Sequence, residues 1–146
     1  MPFHAIAAAL AAHFALPSLP VCGDGACHLT VNGIALRLAP QDEGAATGLS
    51  LRAHLGQLGP TPPQEHLAGL LAGNLFTESV DGQVLCMDMA ANVFLVRHLD
   101  RGHLDLPQLL AAIQGLVHHA EHWRRGWPRL PDPPPSLRRR THHHVP

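Results

Sequence analysis

A chain of 146 residues, 46% of them hydrophobic and with a formal charge of −1, is long enough to bury a core without staples and fits one domain of ordinary size. Three cysteines, Cys22, Cys27 and Cys86, make an odd count with no Cys-x-x-Cys pair, which argues against a disulfide scaffold and for reduced thiols in a cytoplasm. No apolar run reaches the roughly 18 residues of a spanning helix and the start lacks a positively charged export region, so a soluble protein without membrane insertion is expected.

The first predicted helix runs from Phe3 to Leu16, with Phe3, Ile6, Leu10 and Phe14 on one face. Its other faces carry alanines, His4 and His13, and no Asp, Glu, Lys or Arg. A surface helix normally shows charge to water, so part of this one is expected to be covered by a partner. Pro17 and Pro20 end it.

Three strands follow. Cys27, Leu29 and Val31 alternate with polar residues, Asn32-Gly33 makes a two-residue hairpin turn, and Ile34, Leu36 and Leu38 continue the pattern. The third strand sets Leu49, Leu51, Ala53 and Leu55 against Ser50, Arg52 and His54. Between the second and third strands, Pro40 to Gly48 reads as a polar, mobile loop.

The prolines at 60, 62 and 63 stiffen the approach to a short central helix, Leu67 to Leu75. Leu67, Leu70, Leu71 and Leu75 make one stripe, and Gly69 and Gly73 make an adjoining stripe without side chains. Each glycine costs a helix roughly 1 kcal/mol relative to alanine, which suggests close approach of another backbone. That backbone is either a second copy of the chain or the protein's own sheet. A second hairpin then pairs Val84 to Asp88 with Asn92 to His98. Val84 and Cys86 alternate with Leu85 and Met87, so this strand is expected to be covered on both sides, by protein or by a dimer mate.

Asp105 and Gln108 stand at capping-box spacing and open a last helix that runs to about Gly126, with Leu106, Leu109, Leu110, Ile113, Val117 and Ala120 as its seam. From Trp127 the chain turns proline- and arginine-rich, with too few apolar groups to offset the entropy of ordering, so 127–146 reads as a disordered tail on a 1–126 domain. Through Trp123 the chain holds four arginines against ten acids, a balance of −6, and beyond it six arginines against Asp132, a balance of +5. The acidic body repels phosphate and the tail has no aromatic platform, so no nucleic-acid partner is expected. The order helix, three strands, helix, two strands, helix is that of an α+β domain with helices on an antiparallel sheet.

Catalytic content is thin. His118, Glu121 and His122 sit in a His-x-x-Glu-His pattern, the helical zinc arrangement of inverted metallopeptidases, but only Asp132 and the terminal histidines follow to supply a third ligand. With thirteen histidines in a chain that has no lysine or tyrosine, a sign of GC-rich coding, such a match is cheap. Cys22, Cys27 and His28 make a weak metal set, and neither a serine-nucleophile motif nor a phosphate loop is present. No enzyme activity, metal or cofactor is expected. A small metal-dependent hydrolase using the histidine cluster and a dimeric regulatory module remain as alternatives.

From Leu70-Leu71-Ala72-Gly73-Asn74-Leu75-Phe76 the chain resembles the class I chaperones of type III secretion, the Tir chaperone family. The resemblance continues through Val84-Leu85-Cys86-Met87-Asp88 and Phe94-Leu95-Val96-Arg97-His98-Leu99, and ends at Ala120-Glu121-His122-Trp123-Arg124. It implies a non-enzymatic homodimer in the cytoplasm of a Gram-negative bacterium, bearing on virulence, that binds the N-terminal chaperone-binding region of a secreted effector and keeps it extended for export. The export-apparatus ATPase is a further partner it implies. The resemblance places the central helix at the dimer interface, with Leu67, Gly69, Leu70, Gly73, Val84 and Cys86 as interface residues. It places apolar grooves beside the first helix and the sheet, for which Phe3, Ile6, Leu10, Leu29 and Leu36 are the candidates, with Phe3 and Ile6 the most exposed. The basic tail and the alanine-heavy first helix depart from the family pattern.

Overall fold

The structure, a computed structural model, describes residues 1–43, 46–59 and 82–125. Helix α1 spans Phe3–His13, and alanine, which loses no side-chain entropy on becoming helical, fills six of its eleven positions. The helix ends three residues before the predicted Leu16. Ala15 adopts a left-handed φ of 54°, and the amides of Ala15 and Leu16 bond back to the carbonyls of Ala12 (3.3 Å) and Ala11 (2.8 Å). This is a Schellman cap with alanine in the position that glycine usually fills.

Five strands form one antiparallel sheet: β1 Cys27–Val31, β2 Ile34–Glu43, β3 Ala46–Gln57, β4 Gln83–Met87 and β5 Asn92–Asp100, in the order β1-β2-β3-β5-β4. Asn32 and Gly33 both take positive φ, 51° and 78°, as a two-residue hairpin turn requires. Cross-strand pairing aligns Leu36, Ala53, Leu95 and Leu85 in one row, and Arg37, Arg52, Val96 and Val84 in a neighbouring row on the opposite face.

In the segment expected to be a mobile loop at 40–48, the described residues 40–43 and 46–48 instead continue β2 and β3, with Pro40 paired to Leu49, Gln41 to Gly48 and Asp42 to Thr47. Arg101 fixes it from a distance. Its Nη2 donates to both Asp42 carboxylate oxygens (2.5 and 2.6 Å) and its Nε to the Gly48 carbonyl (3.0 Å). Gly48 itself is required, since a Cβ there would lie 2.3 Å from the Gln41 carbonyl oxygen.

Helix α2 spans Leu106–Arg124 and begins with the predicted capping box. The Asp105 carboxylate accepts from the Gln108 amide (2.8 Å), and the Gln108 side-chain oxygen accepts from the Asp105 amide (3.1 Å). Leu109, Ile113, Val117 and Ala120 are buried as predicted, together with Ala112, Leu116 and Trp123, while Leu106 and Leu110 are half-buried. These side chains join Ile6 and Leu10 of α1 and the Leu36 face of the sheet in a single core. Among the described residues no helix is long and apolar enough to cross a membrane.

Strand β4 departs from expectation. It lies at the sheet edge and is covered on one side only, where Gln83 and Leu85 are buried; Val84 is half-buried, and Cys86 and Met87 are exposed. Both-sided cover is therefore not provided by the described residues. The central helix at 67–75 and the tail at 127–146 lie outside them.

Candidate partner-binding surface

Four of the five groove candidates are core residues. Ile6 and Leu10 are 0% exposed, Leu29 and Leu36 are buried, and all four belong to the central cluster; Phe3 is half-buried against it. The apolar stripe of α1 thus faces the sheet. Ile6 cannot be an open groove position, because its side chain is enclosed by the core that the stripe was expected to stand beside.

The open surface is the neighbouring alanine face. His4, Ala7, Ala8, Ala11 and Ala12 form one wall of a cleft of about 550 Å³, and the segment from Leu16 to Val21 forms the other. The cap at Ala15 turns the chain back, and Pro17, which cannot continue a helix, follows it in the return segment. Methyl side chains leave a channel where longer ones would fill it. Leu16 (37% exposed) and Val21 (48%) are among the few large apolar side chains left open on the described residues. The cleft carries neither an acidic nor a basic side chain apart from His4. A sequence signal for it existed in the uncharged alanine spacing of Ala8 and Ala12.

Of the interface candidates, Val84 and Cys86 lie on the sheet face opposite the one that packs on α1 and α2, and Leu67, Gly69, Leu70 and Gly73 lie outside the described residues. Phe94 pairs with Cys86 across the strands, and the Arg52 guanidinium stacks 4.2 Å over the Phe94 ring. Met87 and Met89 extend this apolar edge at the β4–β5 turn. Strands β1 and β4 each have one neighbour in the sheet, and an edge strand presents backbone donors and acceptors that another chain can pair with.

His118, Glu121 and His122 do not come together as a metal site. Their neighbour His119 turns inward and its Nδ1 donates to the Oε1 of buried Gln83 at 2.7 Å, which ties α2 to the β4 edge.

The sequence matches the model of the Tir chaperone protein (CesT) family over residues 5–124. Comparison with curated proteins finds no match. Among solved structures, a chain of the ExsC-ExsE complex superposes with a TM-score of 0.70 at 24% identity, covering 84% of this chain and 90% of that one. A chain of the HopA1-SchA chaperone-effector complex gives 0.64 at 22% identity, covering 84% and 93%. A chain of the Yersinia pestis complex of the type III secretion chaperone SycH with a stable fragment of YscM2 gives 0.61 at 21% identity, covering 82% and 98%.

Proposed function

The chain belongs to the Tir chaperone protein family, and on that premise we propose that it is a cytoplasmic type III secretion chaperone, without enzyme activity, that holds the N-terminal segment of a secreted effector in extended, export-competent form. The observation that carries this reading is the uncharged cleft between the alanine face of α1 and Leu16–Val21, open beside a five-stranded sheet with two edges. An extended segment could gain backbone bonds by adding to an edge strand and gain specificity by seating apolar side chains in the cleft. Similar structures, one a chaperone-effector complex and one a type III secretion chaperone in complex with a stable fragment of YscM2, agree with it.

The working unit in this reading is a homodimer built on the central helix, with Leu67, Gly69, Leu70 and Gly73 together with Val84 and Cys86 of β4. The export-apparatus ATPase would receive the loaded complex. The test is co-purification from the native cytoplasm with wild-type protein and Ala8→Asp, which places a charge in the cleft wall on an exposed helical position. Wild type should retain one secreted protein through its N-terminal segment, as mapped by limited proteolysis, and Ala8→Asp should lose it while remaining folded. Equal retention by both proteins would remove the cleft from the reading.

A further inference from the structure

Between the outer wall of the cleft and strand β1, three metal-binding side chains converge. The thiol of Cys22, a carboxylate oxygen of Asp24 and an imidazole nitrogen of His28 lie within 4.8 Å of one another, all on exposed residues. Among the described residues no other three His, Cys, Asp or Glu side chains do so. Local backbone geometry brings them together. The turn from Cys22 to Ala26 closes through the Cys22 amide on the Ala26 carbonyl (2.8 Å) and the Gly25 amide on the Cys22 carbonyl (2.9 Å), with Gly25 at a φ of 82° that suits glycine.

Strand alternation then decides which residues of β1 take part. His28 points outward, whereas Cys27 points into the core, 1% exposed, and so cannot share an ion with His28. The sequence suggested Cys22, Cys27 and His28. The fold removes Cys27 from that set and supplies Asp24.

We propose that Cys22, Asp24 and His28 form a binding site for a borderline divalent transition ion of the Zn²⁺ type, in place of the metal-free chain expected from the sequence. A thiolate and an imidazole select such ions over Mg²⁺ and Ca²⁺, which prefer oxygen alone. Zinc bond lengths place tetrahedral donors about 3.3 to 3.6 Å apart. Closing from within 4.8 Å therefore needs about 1 Å of movement, within reach of rotamer changes in exposed side chains. Asp24 is held in place by the Ala26 amide on Oδ1 (3.2 Å) and the Arg37 guanidinium on Oδ2 (3.3 Å). The thiolate and carboxylate together balance the dication. Arg37, a cation beside the site, opposes binding and makes the ion exchangeable. Three protein ligands leave one position open to water. Val21 lines the cleft next to Cys22, so a bound ion would tie the outer wall of the cleft to β1.

The test is titration of the full reduced chain with Co²⁺, watching the sulfur-to-cobalt charge-transfer absorption in the near ultraviolet. Histidines elsewhere, including those at 118–122 and 142–144, can hold cobalt without producing that band. The site should give a band that saturates at one equivalent and is displaced by Zn²⁺. It should vanish in Cys22→Ser, require about tenfold or more cobalt in His28→Gln, and persist in Cys86→Ser. Absence of the band in folded wild type, or its survival in Cys22→Ser, overturns the assignment.

Discussion

Ile6 and Ala8 lie two positions apart on α1 and should respond to the same substitution in opposite ways. Ile6 is wholly enclosed, so Ile6→Asp buries an unpaired charge and should cost about 3 kcal/mol or more, seen as a large fall in the denaturation midpoint. Ala8 is exposed, so Ala8→Asp should cost only the difference in helix propensity, about 0.7 kcal/mol or less, and remove partner capture instead. The four-residue stripe from Phe3 to Phe14 was legible from its spacing, but spacing does not say whether a stripe faces a core or a partner. That is decided by the three-dimensional core, which encloses Ile6 and Leu10 together with Leu29, Leu36 and their neighbours. Titration is also a residue-scale property. The backbone amide of Ala26 holds the Asp24 carboxyl below its ordinary pKa, the Arg101 guanidinium does so for Asp42, and the backbone amide of Asn92 does so for Asp88. Each bond stabilises the fold fully above that ordinary value, and the contribution is lost as pH falls through the lower folded-state value. Thermal unfolding followed between about pH 6 and pH 2 should show a steeper acid loss in wild type than in Asp42→Asn; parallel curves would mean that the Arg101 bridge contributes nothing to stability.

Among the elements, the cap of α1 and the β2–β3 hairpin carry the sharpest consequences. Ala15 holds a left-handed φ of 54° that costs an L-residue roughly 1 kcal/mol or more. Ala15→Gly should therefore stabilise the protein by about 1 kcal/mol, measured as a shift in denaturant midpoint at constant slope. A destabilised variant would contradict the cap geometry. At the other helix, Asp105→Ala removes the carboxylate that accepts from the Gln108 amide, leaves the backbone half of the capping box in place, and should cost about 1 kcal/mol. The hairpin extension through Asp42 escaped the sequence because Pro40, Gln41 and Asp42 show no alternation of apolar and polar residues. The residue that completes it, Arg101, stands 59 positions away in the chain. By contrast, the Asn32-Gly33 turn and the Asp105/Gln108 cap are local chemistry, so sequence spacing was enough to locate both.

For the whole molecule, the strand count, the order of the described elements and the single core followed from periodicity, since alternating strands and a 3.6-residue seam can bury their apolar sides in few ways. The cleft did not, because it consists of small side chains and a return segment whose path is set by a cap. The proposed dimer rests on the Gly69 and Gly73 spacing and on the edge strand β4, where Val84 is half-buried and Cys86 and Met87 are exposed. In that proposed dimer Gly73 meets the partner's backbone, so Gly73→Leu would overpack the interface, typically at about 1 to 3 kcal/mol. Light scattering should show a dimer in wild type and a shift towards monomer in this variant. A wild-type monomer at micromolar concentration would remove the dimer from the proposal.

The most direct measurement compares backbone hydrogen exchange in the free protein and in the complex co-purified with its effector. Capture in the cleft predicts slowed exchange at Ala11, Ala12 and the return segment from Leu16 to Val21, along with one edge strand, while the Leu109 to Ala120 core of α2 stays unchanged. A complex that protects the α2 surface and leaves Leu16 to Val21 as open as in the free protein would contradict it.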